Sequence, residues 1–471
     1  MPELLLALDA GTTGARAMLV DPAGRVLGMD KCGIETRYPG AGLVEQDGAA
    51  VWDTCRAVIA GALAAAGRSM ADVAAIGVTT QRASVVLWDR AIGEPVCPIL
   101  IWSDLRGMNV YKDLRAAGFA SWPQVPSAKL PAAIALAGRP LESLRWGTLD
   151  SWLVFRLSGG AAHVTDSSCA WLSGYMDYDR GAGWNAGLLA YQSLPETLFP
   201  RLTDSWGAIA ETTDGVPICA IMADQQAGMV AHDALRRGAW KATYGTSAVL
   251  MANAGGAPFS PDASMPAQAL ATIAGEAHYC IEGMVISAGS FVDWLCGPIG
   301  LFDTPAALES AARSVPDAGG VQVRPSLQGL GTPHGRFNDR GLISGLSFST
   351  SPAHLARGAL TGIACRIREI ADLIAASLPV PDALPVDGGM AASDIFLQIQ
   401  ADMLQRPVRR HAVREGTAYG AAIAAGLGAG LIAESDLPAL ARYDADFTPA
   451  ISRDAADHAF ARWSAAITVQ A

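Results

Sequence analysis

The stretch Asp9-Ala-Gly-Thr-Thr-Gly-Ala-Arg16-Ala17 lies between two short apolar runs, Leu4–Leu8 and Met18–Val20. This order predicts a strand, a glycine-rich turn and a second strand, which together form a β-hairpin. Backbone amides and hydroxyls crowd the turn, where chain without bulky side chains can approach an anion. Asp9 adds a carboxylate that can hold a hydrated magnesium ion through its waters. Taken alone, the segment fits an ordinary hairpin turn equally well.

A second copy of this pattern lies in the other half of the chain. Its residues are Lys241-Ala-Thr-Tyr-Gly-Thr-Ser-Ala-Val-Leu-Met251, in which a strand breaks at Gly245-Thr246-Ser247 and then resumes. Two hairpins of phosphate-binding type, one in each half, predict two related domains that bind one nucleotide between them.

The composition is that of a globular protein with two or three ordinary domains, since 51% of the 471 residues are apolar. The net charge is −11 and lysines and arginines form no dense cluster, which argues against a nucleic-acid partner. The eight cysteines are scattered and the seven histidines lack metal-ligand spacing. Since the start at Met1 has no signal-peptide features, we expect a cytoplasmic protein with reduced thiols.

One uncharged segment, Gly416–Ala433, is long enough to raise the question of a membrane span. Its small residues fall on one narrow face, at Gly416, Gly420, Ala424 and Gly428. This pattern favours a buried helix that packs closely on its neighbours, so no membrane partner is expected.

The order of elements predicts an α/β fold. Strands come first, Asp47 caps a helix that runs to about Ala66, and Val73–Thr80 has the composition of a buried strand. Alternating helices and strands follow, which is typical of a mixed sheet. The chain enters the second hairpin copy after residues 232–238, so we place the two domains at residues 1–234 and 235–471.

Several ordered motifs resemble the FGGY family of carbohydrate kinases, and within it the glycerol kinases most of all. The motifs are Leu8-Asp-Ala-Gly-Thr-Thr13 with Arg16, Leu43-Val-Glu-Gln-Asp47 with Trp52, Ile76-Gly-Val-Thr-Thr-Gln-Arg82, Ile101-Trp-Ser-Asp-Leu-Arg106, Gly147-Thr-Leu-Asp-Ser-Trp-Leu153, His163-Val-Thr-Asp166, Ala223-Asp-Gln-Gln-Ala227, Thr243-Tyr-Gly-Thr246, Asp387-Gly-Gly389 and Gly416-Thr-Ala-Tyr-Gly-Ala-Ala422. The resemblance implies two ribonuclease-H-like domains, as in actin and hexokinase, with ATP and sugar meeting in the cleft between them.

Asp224 is the candidate catalytic residue. It follows the apolar run Val216–Met222, at the end of a predicted strand. A sugar hydroxyl that attacks the γ-phosphorus of ATP must lose its proton, and a positioned carboxylate can accept it. The alternative is a helix N-cap, which would lower the pKa of this carboxylate. The match to the motif Asp-Gln-Gln-Ala implies a general base at Asp224 and a substrate contact at Gln225.

The same resemblance implies contacts with ATP and Mg²⁺. Phosphate contacts are expected at Thr12, Thr13, Arg16 and Thr246, nucleotide contacts at Gly289, Asp293, Gly389 and Ser393, and magnesium contacts at Asp9 and Asp224. Asp293 and Ser393 depart from the family pattern, which often has glutamine and asparagine there. For each glycine, a plain turn is the alternative.

The substrate side also departs from the glycerol-kinase pattern. Arg82 is retained, but the next residue is Ala83, where glycerol kinases carry a glutamate that binds glycerol hydroxyls. Gln124 aligns near the position of a glycerol-contacting tyrosine. Trp102 is expected to form an apolar wall of the pocket, with a core tryptophan as the alternative. Since a buried hydrogen bond to a charged group contributes about 1.5–3 kcal/mol, we expect weakened glycerol binding and a larger polyol or ketose substrate.

The sequence therefore predicts an ATP-dependent, magnesium-requiring sugar or polyol kinase whose substrate is not glycerol. One alternative is a true glycerol kinase, and another is an actin-like ATP-binding protein without sugar phosphotransfer. The resemblance is compatible with a homo-oligomer.

Overall fold

The first hairpin has the predicted form in the computed structural model, which describes residues 2–468. Strands β1 (Leu4–Ala10) and β2 (Gly14–Val20) pair antiparallel, and the amide of Gly11 donates to the carbonyl oxygen of Gly14 at 3.0 Å across the turn. The outer ends of the predicted domains, residue 1 and residues 469–471, lie outside the described part.

A six-stranded sheet organises the first half of the chain, in the order β12-β13-β6-β1-β2-β3. The further strands of this half are β3 (Val26–Gly33), β4 (Arg37–Gly40), β5 (Leu43–Gln46), β6 (Val73–Thr80), β7 (Val86–Asp89), β8 (Ile99–Leu100), β9 (Leu144–Gly147), β10 (Val164–Asp166), β11 (Arg201–Thr203), β12 (Trp206–Glu211) and β13 (Pro217–Ala223). Its helices are α1 (Gly48–Ala65), α2 (Met108–Ala116), α3 (Pro126–Ala137), α4 (Leu149–Leu157), α5 (Ser167–Trp171), α6 (Ala186–Tyr191) and α7 (Asp224–Ala231).

A seven-stranded sheet organises the second half, in the order β16-β17-β15-β14-β20-β21-β22. The strands are β14 (Trp240–Tyr244), β15 (Ala248–Gly255), β16 (Ala267–Ile273), β17 (Glu276–Val285), β18 (Gln322–Arg324), β19 (Leu342–Ser344), β20 (Leu384–Asp387), β21 (Val408–His411) and β22 (Tyr443–Phe447). The helices are α8 (Gly289–Cys296), α9 (Pro305–Arg313), α10 (Pro352–Ala375), α11 (Asp394–Leu404), α12 (Gly416–Gly428), α13 (Leu437–Leu440) and α14 (Arg453–Ile467).

The two sheets share one topology. In the first, three antiparallel strands (β3, β2, β1) are followed by two parallel ones, β6 and β13. In the second, β17, β15 and β14 are followed by the parallel strands β20 and β21. This repeat is the predicted pair of ribonuclease-H-like units. The boundary placed at residues 234 and 235 falls in the connection between α7 and β14, and it stays a prediction.

Local sequence explains the central elements of the first sheet. β1 and β6 are buried along most of their length because both faces of the parallel part are covered, and this is why they are nearly continuous apolar runs. The predicted helix cap is confirmed, since the side chain of Asp47 accepts from the amide of Ala50 at 3.1 Å. All eight cysteines are free.

Helix α12 is the uncharged, glycine-rich segment, and it packs against α7 and the first sheet although it belongs to the second half. A Cβ at Gly420 would lie 1.8 Å from the carbonyl oxygen of Ala227, and one at Gly428 would lie 2.2 Å from that of Cys219. The small residues therefore permit backbone contact, and the predicted buried helix is confirmed. Within residues 2–468, none of the helices has the length and apolar character that a membrane span requires.

Candidate active site

The first hairpin carries a buried ion-pair set at the end of β1. Asp9 is 2% exposed, and Nη1 of Arg16, its cross-strand partner, lies 3.0 Å from Oδ2 of Asp9. The same nitrogen lies 3.1 Å from Oε2 of Glu415, which directly precedes α12. Burial raises the pKa of Asp9 to about 7 although Arg16 opposes this, and the nearby charge of Asp224 raises it further. Glu415, a residue that sequence reasoning missed, thus links the second half to the first hairpin.

The two threonines of the first turn differ in their partners. The hydroxyl of Thr12 donates to Oε1 of Gln81 at 3.2 Å and accepts from Nε1 of Trp102 at 2.9 Å. Thr13 is exposed, and among the described residues its hydroxyl has no recorded partner. Trp102 is 41% exposed, so the alternative of a core tryptophan is wrong. Its indole orders the phosphate-type turn in addition to any contact with substrate.

Backbone contacts shape the second hairpin. The amide of Gly245 donates to the carbonyl oxygen of Ser247 at 2.9 Å, and the carbonyl oxygen of Thr246 accepts from the amide of Ser290 at 3.0 Å. A Cβ at Gly289 would lie 2.5 Å from the carbonyl oxygen of Gly245, so close packing of α8 on the turn requires this glycine. The Thr246 side chain is exposed, and Asp293 is exposed one turn further along α8.

Gly389 and Ser393, which follow β20, have different surroundings. A Cβ at Gly389 would meet nothing within 4 Å among the described residues, so packing does not require glycine there and space is left for a ligand. The Ser393 side chain is 4% exposed and its hydroxyl caps α11 by accepting from the amide of Phe396 at 3.3 Å. Its hydroxyl therefore already has a structural role.

Asp224 lies where β13 ends and α7 begins. Ala223 occupies the N-cap position, and Asp224 is the first helical residue, with Oδ1 accepting from the amide of Gln225 at 2.7 Å. The N-cap alternative for Asp224 is therefore wrong, so no lowering of the pKa of Asp224 by a cap position is expected. Burial raises this pKa, and the charge of Arg82 and the backbone hydrogen bond oppose the rise only in part. A carboxylate with a raised pKa is better matched to proton transfer near neutral pH.

Arg82 connects Asp224 to the second sheet. Its Nε lies 3.4 Å from Oδ1 of Asp224. Its Nη1 donates to Oε1 of Gln268 at 2.7 Å, and its Nη2 donates to Oε1 of Glu282 at 3.0 Å. Sequence reasoning missed both partners. The available signal for Glu282 was a single charge inside the otherwise uncharged run from Tyr279 to Val285 in β17.

A second polar chain joins Gln225 to the motif at the end of β20. Buried Lys241 donates to Oε1 of Gln225 and to the hydroxyl of Thr243, both at 2.8 Å. Thr243 in turn donates to Oδ1 of Asp387 at 2.5 Å, and Nε2 of His232 lies 3.2 Å from the other carboxylate oxygen. This chain fixes Gln225 relative to the predicted nucleotide site. Lys241 was not identified from the sequence, although a lone lysine in a buried strand is its signal.

Ala83 has an uncommon backbone conformation, with a φ of 58°. Its carbonyl oxygen accepts from Nζ of buried Lys129 at 2.9 Å, and the same ammonium donates to the carbonyl oxygen of Ile101 at 2.7 Å. Lys129 therefore braces the segments that carry Arg82 and Trp102. Gln124 lies half-buried before α3, and among the described residues no hydrogen bond joins it to Arg82 or Asp224.

The cleft carries more carboxylates than cations. Two connected sets, Glu415–Arg16–Asp9 and Asp224–Arg82–Glu282, hold four carboxylates and two guanidinium groups. No cluster of three or more histidine, cysteine, aspartate or glutamate side chains suited to a metal occurs within residues 2–468. Mg²⁺ in nucleotide sites commonly uses one or two carboxylates with waters and phosphates, so buried Asp9 with Asp224 fits that ion.

Two family models match the chain. The model of the FGGY family N-terminal domain matches residues 4–231, and that of the C-terminal domain matches residues 240–429. The chain belongs to the FGGY family of carbohydrate kinases. As an FGGY carbohydrate kinase it is an ATP-dependent phosphotransferase that acts on an alcohol group, and this speaks against the actin-like alternative.

Individual FGGY relatives resemble the chain over nearly its whole length. A glycerol kinase of Thermus brockianus is 36% identical over 486 residues, which cover 99% of this chain and 98% of the relative. A solved glycerol kinase of Plasmodium falciparum, 22% identical, has the same fold with a TM-score of 0.89 and 99% of each chain covered. A xylulose kinase from Rhodospirillum rubrum, 26% identical, has a TM-score of 0.84 with 98% of each chain covered.

Proposed function

We propose that the chain transfers the γ-phosphate of ATP to a hydroxyl of a polyol or ketose, with Asp224 as the general base. The observation that carries this proposal is the position of Asp224 at the carboxyl end of β13, close enough to Asp9 of the first hairpin and Lys241 of the second for their charges to interact. Burial raises its pKa, and Arg82 holds it in place from the first half of the chain.

The proposed reaction is a single in-line displacement. The acceptor oxygen attacks the γ-phosphorus, its proton passes to Asp224, and the bond from the γ-phosphorus to the bridging oxygen breaks to leave ADP. Thr13 and Thr246 present exposed hydroxyls to the phosphates from the two turns, and Arg16 supplies a positive charge. Asp9 and Asp224 would hold a hydrated magnesium ion, whose charge offsets that of the phosphates.

The proposed acceptor is larger than glycerol. The side chain at position 83 is a methyl group, so the carboxylate expected beside Arg82 is missing from this position. Each missing hydrogen bond to a charged group weakens binding of the acceptor by about 1.5–3 kcal/mol. A three-carbon acceptor cannot compensate for this loss, because it has no spare hydroxyl to reach other partners. A longer polyol or ketose fills the space and retains such partners.

Glycerol is the second candidate acceptor, because of the relatives. Glycerol kinases of Thermus brockianus and Gloeobacter violaceus are 36% and 37% identical to this chain over 486 and 447 residues. In that case, alanine has replaced the glutamate of the glycerol-kinase pattern at position 83 without a change of acceptor.

Steady-state kinetics on a panel of acceptors tests the proposal. We expect kcat/KM of the wild type to be higher for four- to six-carbon polyols or ketoses than for glycerol. Ala83→Glu should raise kcat/KM for glycerol and lower it for the better acceptor. Ala83→Gln is the matched control, since it has the same size and backbone demand without the charge, and it should not rescue glycerol. Glycerol as the best wild-type acceptor would establish the second candidate instead.

Predictions about the cellular setting accompany this proposal. We infer a cytoplasmic enzyme, because the reaction uses ATP and the eight cysteines are free. Cell fractionation tests the location, and analytical ultracentrifugation tests whether the protein is a homo-oligomer.

A further inference from the structure

Two side chains of the second sheet lie against Arg82, which follows the end of β6 in the first sheet. Gln268 is opposite Cys280 in the β16–β17 ladder, and Glu282 lies two residues beyond Cys280 on β17. Side chains two residues apart on a strand share a face, so Gln268 and Glu282 project from the same face of the sheet. Both are nearly buried, with 7% of Gln268 and 9% of the Glu282 side chain exposed.

The polar atoms of this pair are only partly used within the protein. Oε2 of Glu282 is buried and lies 2.8 Å from Nη1 of Arg82, yet it accepts no aligned hydrogen bond. Nε2 of Gln268 donates no recorded hydrogen bond to any residue between 2 and 468, because its amide contact with Arg82 uses the oxygen. Oε2 is therefore held by the ion pair, whereas Oε1 accepts one hydrogen bond, from Nη2 of Arg82, and has a second lone pair that can accept from a ligand hydroxyl.

The neighbouring groups offer further donors and acceptors to a ligand with several hydroxyl groups. Asp224 offers a second carboxylate beside the same guanidinium, and Arg82 retains N–H groups beyond those that its two partners occupy. Each hydroxyl of a vicinal diol can both donate and accept, so alternating carboxylates and donors suit it. Ala83 contributes no polar side chain to this set.

We propose that Glu282 and Gln268 are specificity-determining residues of the acceptor pocket, with Glu282 accepting from an acceptor hydroxyl and Gln268 donating to one. A carboxylate of the pocket thereby comes from the second sheet, in addition to Asp224 from the first half. This inference rests on the proposed function but not on the size of the acceptor. Because the pocket takes residues from both sheets, it is complete only when the two halves are together.

The test is Glu282→Gln in the full chain, assayed with acceptors that differ by one hydroxyl. The pairs are glycerol with propane-1,2-diol, erythritol with butane-1,2,4-triol, and D-xylulose with 1-deoxy-D-xylulose. We expect KM for the fuller acceptor to rise about 10- to 100-fold, which corresponds to the loss of a charged hydrogen bond. KM for ATP should stay within about twofold of the wild-type value. For at least one pair, the ratio of kcat/KM for the fuller acceptor to kcat/KM for the deoxygenated one should fall toward 1 in this variant.

A matched control is Glu369→Gln, which makes the same change in a buried glutamate that pairs with Arg366 and His334. It should leave KM for every acceptor unchanged. Should Glu282→Gln fail to fold by circular dichroism, Gln268→Met carries the same test, since it removes the amide without changing charge.

Unchanged discrimination between paired acceptors in a folded variant would overturn the inference and leave Glu282 as a contact between the two halves only. Failure of the proposed function has a different signature, because ATP turnover by the wild type would then respond to none of the acceptors.

Discussion

The two hairpins have the same backbone plan but differ in what they present to a ligand. The first turn lies beside a buried aspartate and an arginine, and the hydroxyl of its Thr12 donates to Gln81 and accepts from Trp102. The second turn has no charged residue between Gly245 and Ser247, and backbone bonds to the start of α8 shape it. Repetition of a fold has therefore reproduced the scaffold but not the charges, since an aspartate–arginine pair flanks the first turn and Lys241 lies further from the second turn on β14.

This difference assigns distinct tasks to the two halves. We expect the charge balance at the phosphates to depend on the first hairpin, and the second hairpin to contribute shape and single hydroxyl groups. Substitutions that remove a charge should therefore reduce activity most in the first half, and substitutions that add volume should reduce stability most at the second turn.

The largest effect is expected from removing the charge of Asp224. Asp224→Asn should lower kcat by about 10²–10⁴, because the acceptor proton loses its base. The dissociation constant for ATP should stay within a few-fold, as measured by calorimetry. A variant that kept more than about a tenth of wild-type kcat would reduce Asp224 to a helix-end residue.

The hydroxyls of the two turns provide a direct comparison. Thr13→Val and Thr246→Val should each raise KM for ATP by about 10- to 100-fold, since each removes one hydrogen bond to a charged phosphate. Thr54→Val, on the exposed part of α1, is the matched control and should leave that KM unchanged. An unchanged KM for ATP in both turn variants would contradict the model in which the two hairpins bind the same nucleotide.

An added methyl group should destabilise the protein at the second turn but not at the first. Gly289→Ala should lower the free energy of unfolding by about 1–3 kcal/mol, because the new methyl group meets the carbonyl oxygen of Gly245 at 2.5 Å. Gly11→Ala places its methyl group 3.5 Å from the carbonyl oxygen of Gly14, an ordinary contact, and should not destabilise the fold. Urea denaturation measures both, and equal losses would contradict the comparison.

The smallest effect concerns the buried lysine that braces the first half. Burial lowers the pKa of Lys129 from 10.5 to about 7, so between these values the unfolded chain holds an extra proton. Stability contributed at this site therefore rises with pH across that window. The difference in unfolding free energy between wild type and Lys129→Met should grow in favour of the wild type from pH 7 to pH 9. A difference that does not change with pH would contradict the assigned shift.

Local patterns were enough to predict the elements that depend on neighbours in sequence. The two hairpins, the strand Val73–Thr80 and the helix capped by Asp47 follow from alternation, glycine placement and a capping side chain. The strand β22 and the helix α14 near the end of the chain were not predicted, because their apolar residues are too widely spaced to attract notice.

Contacts between the halves could not be predicted from the sequence. Glu415 meets Arg16, and Glu282 meets Arg82, across separations of hundreds of residues. The burial that raises the pKa of Asp224 is likewise created by the assembled fold. Of the two carboxylates that sequence reasoning missed, only Glu282 lies within a strand, where a charge among apolar residues is a signal, and Glu415 lies before α12 and gave none.

Because α12 of the second half packs on the first sheet, the two halves of the chain are not independent folding units. A fragment ending at residue 234 would lack the helix that covers Leu5, Ala7 and Ala75 and would expose that apolar surface to water. Such a fragment is expected to aggregate when expressed alone and to become soluble when the remainder of the chain is co-expressed. The boundary between the two halves in the sequence is thus not a surface along which the molecule can be divided.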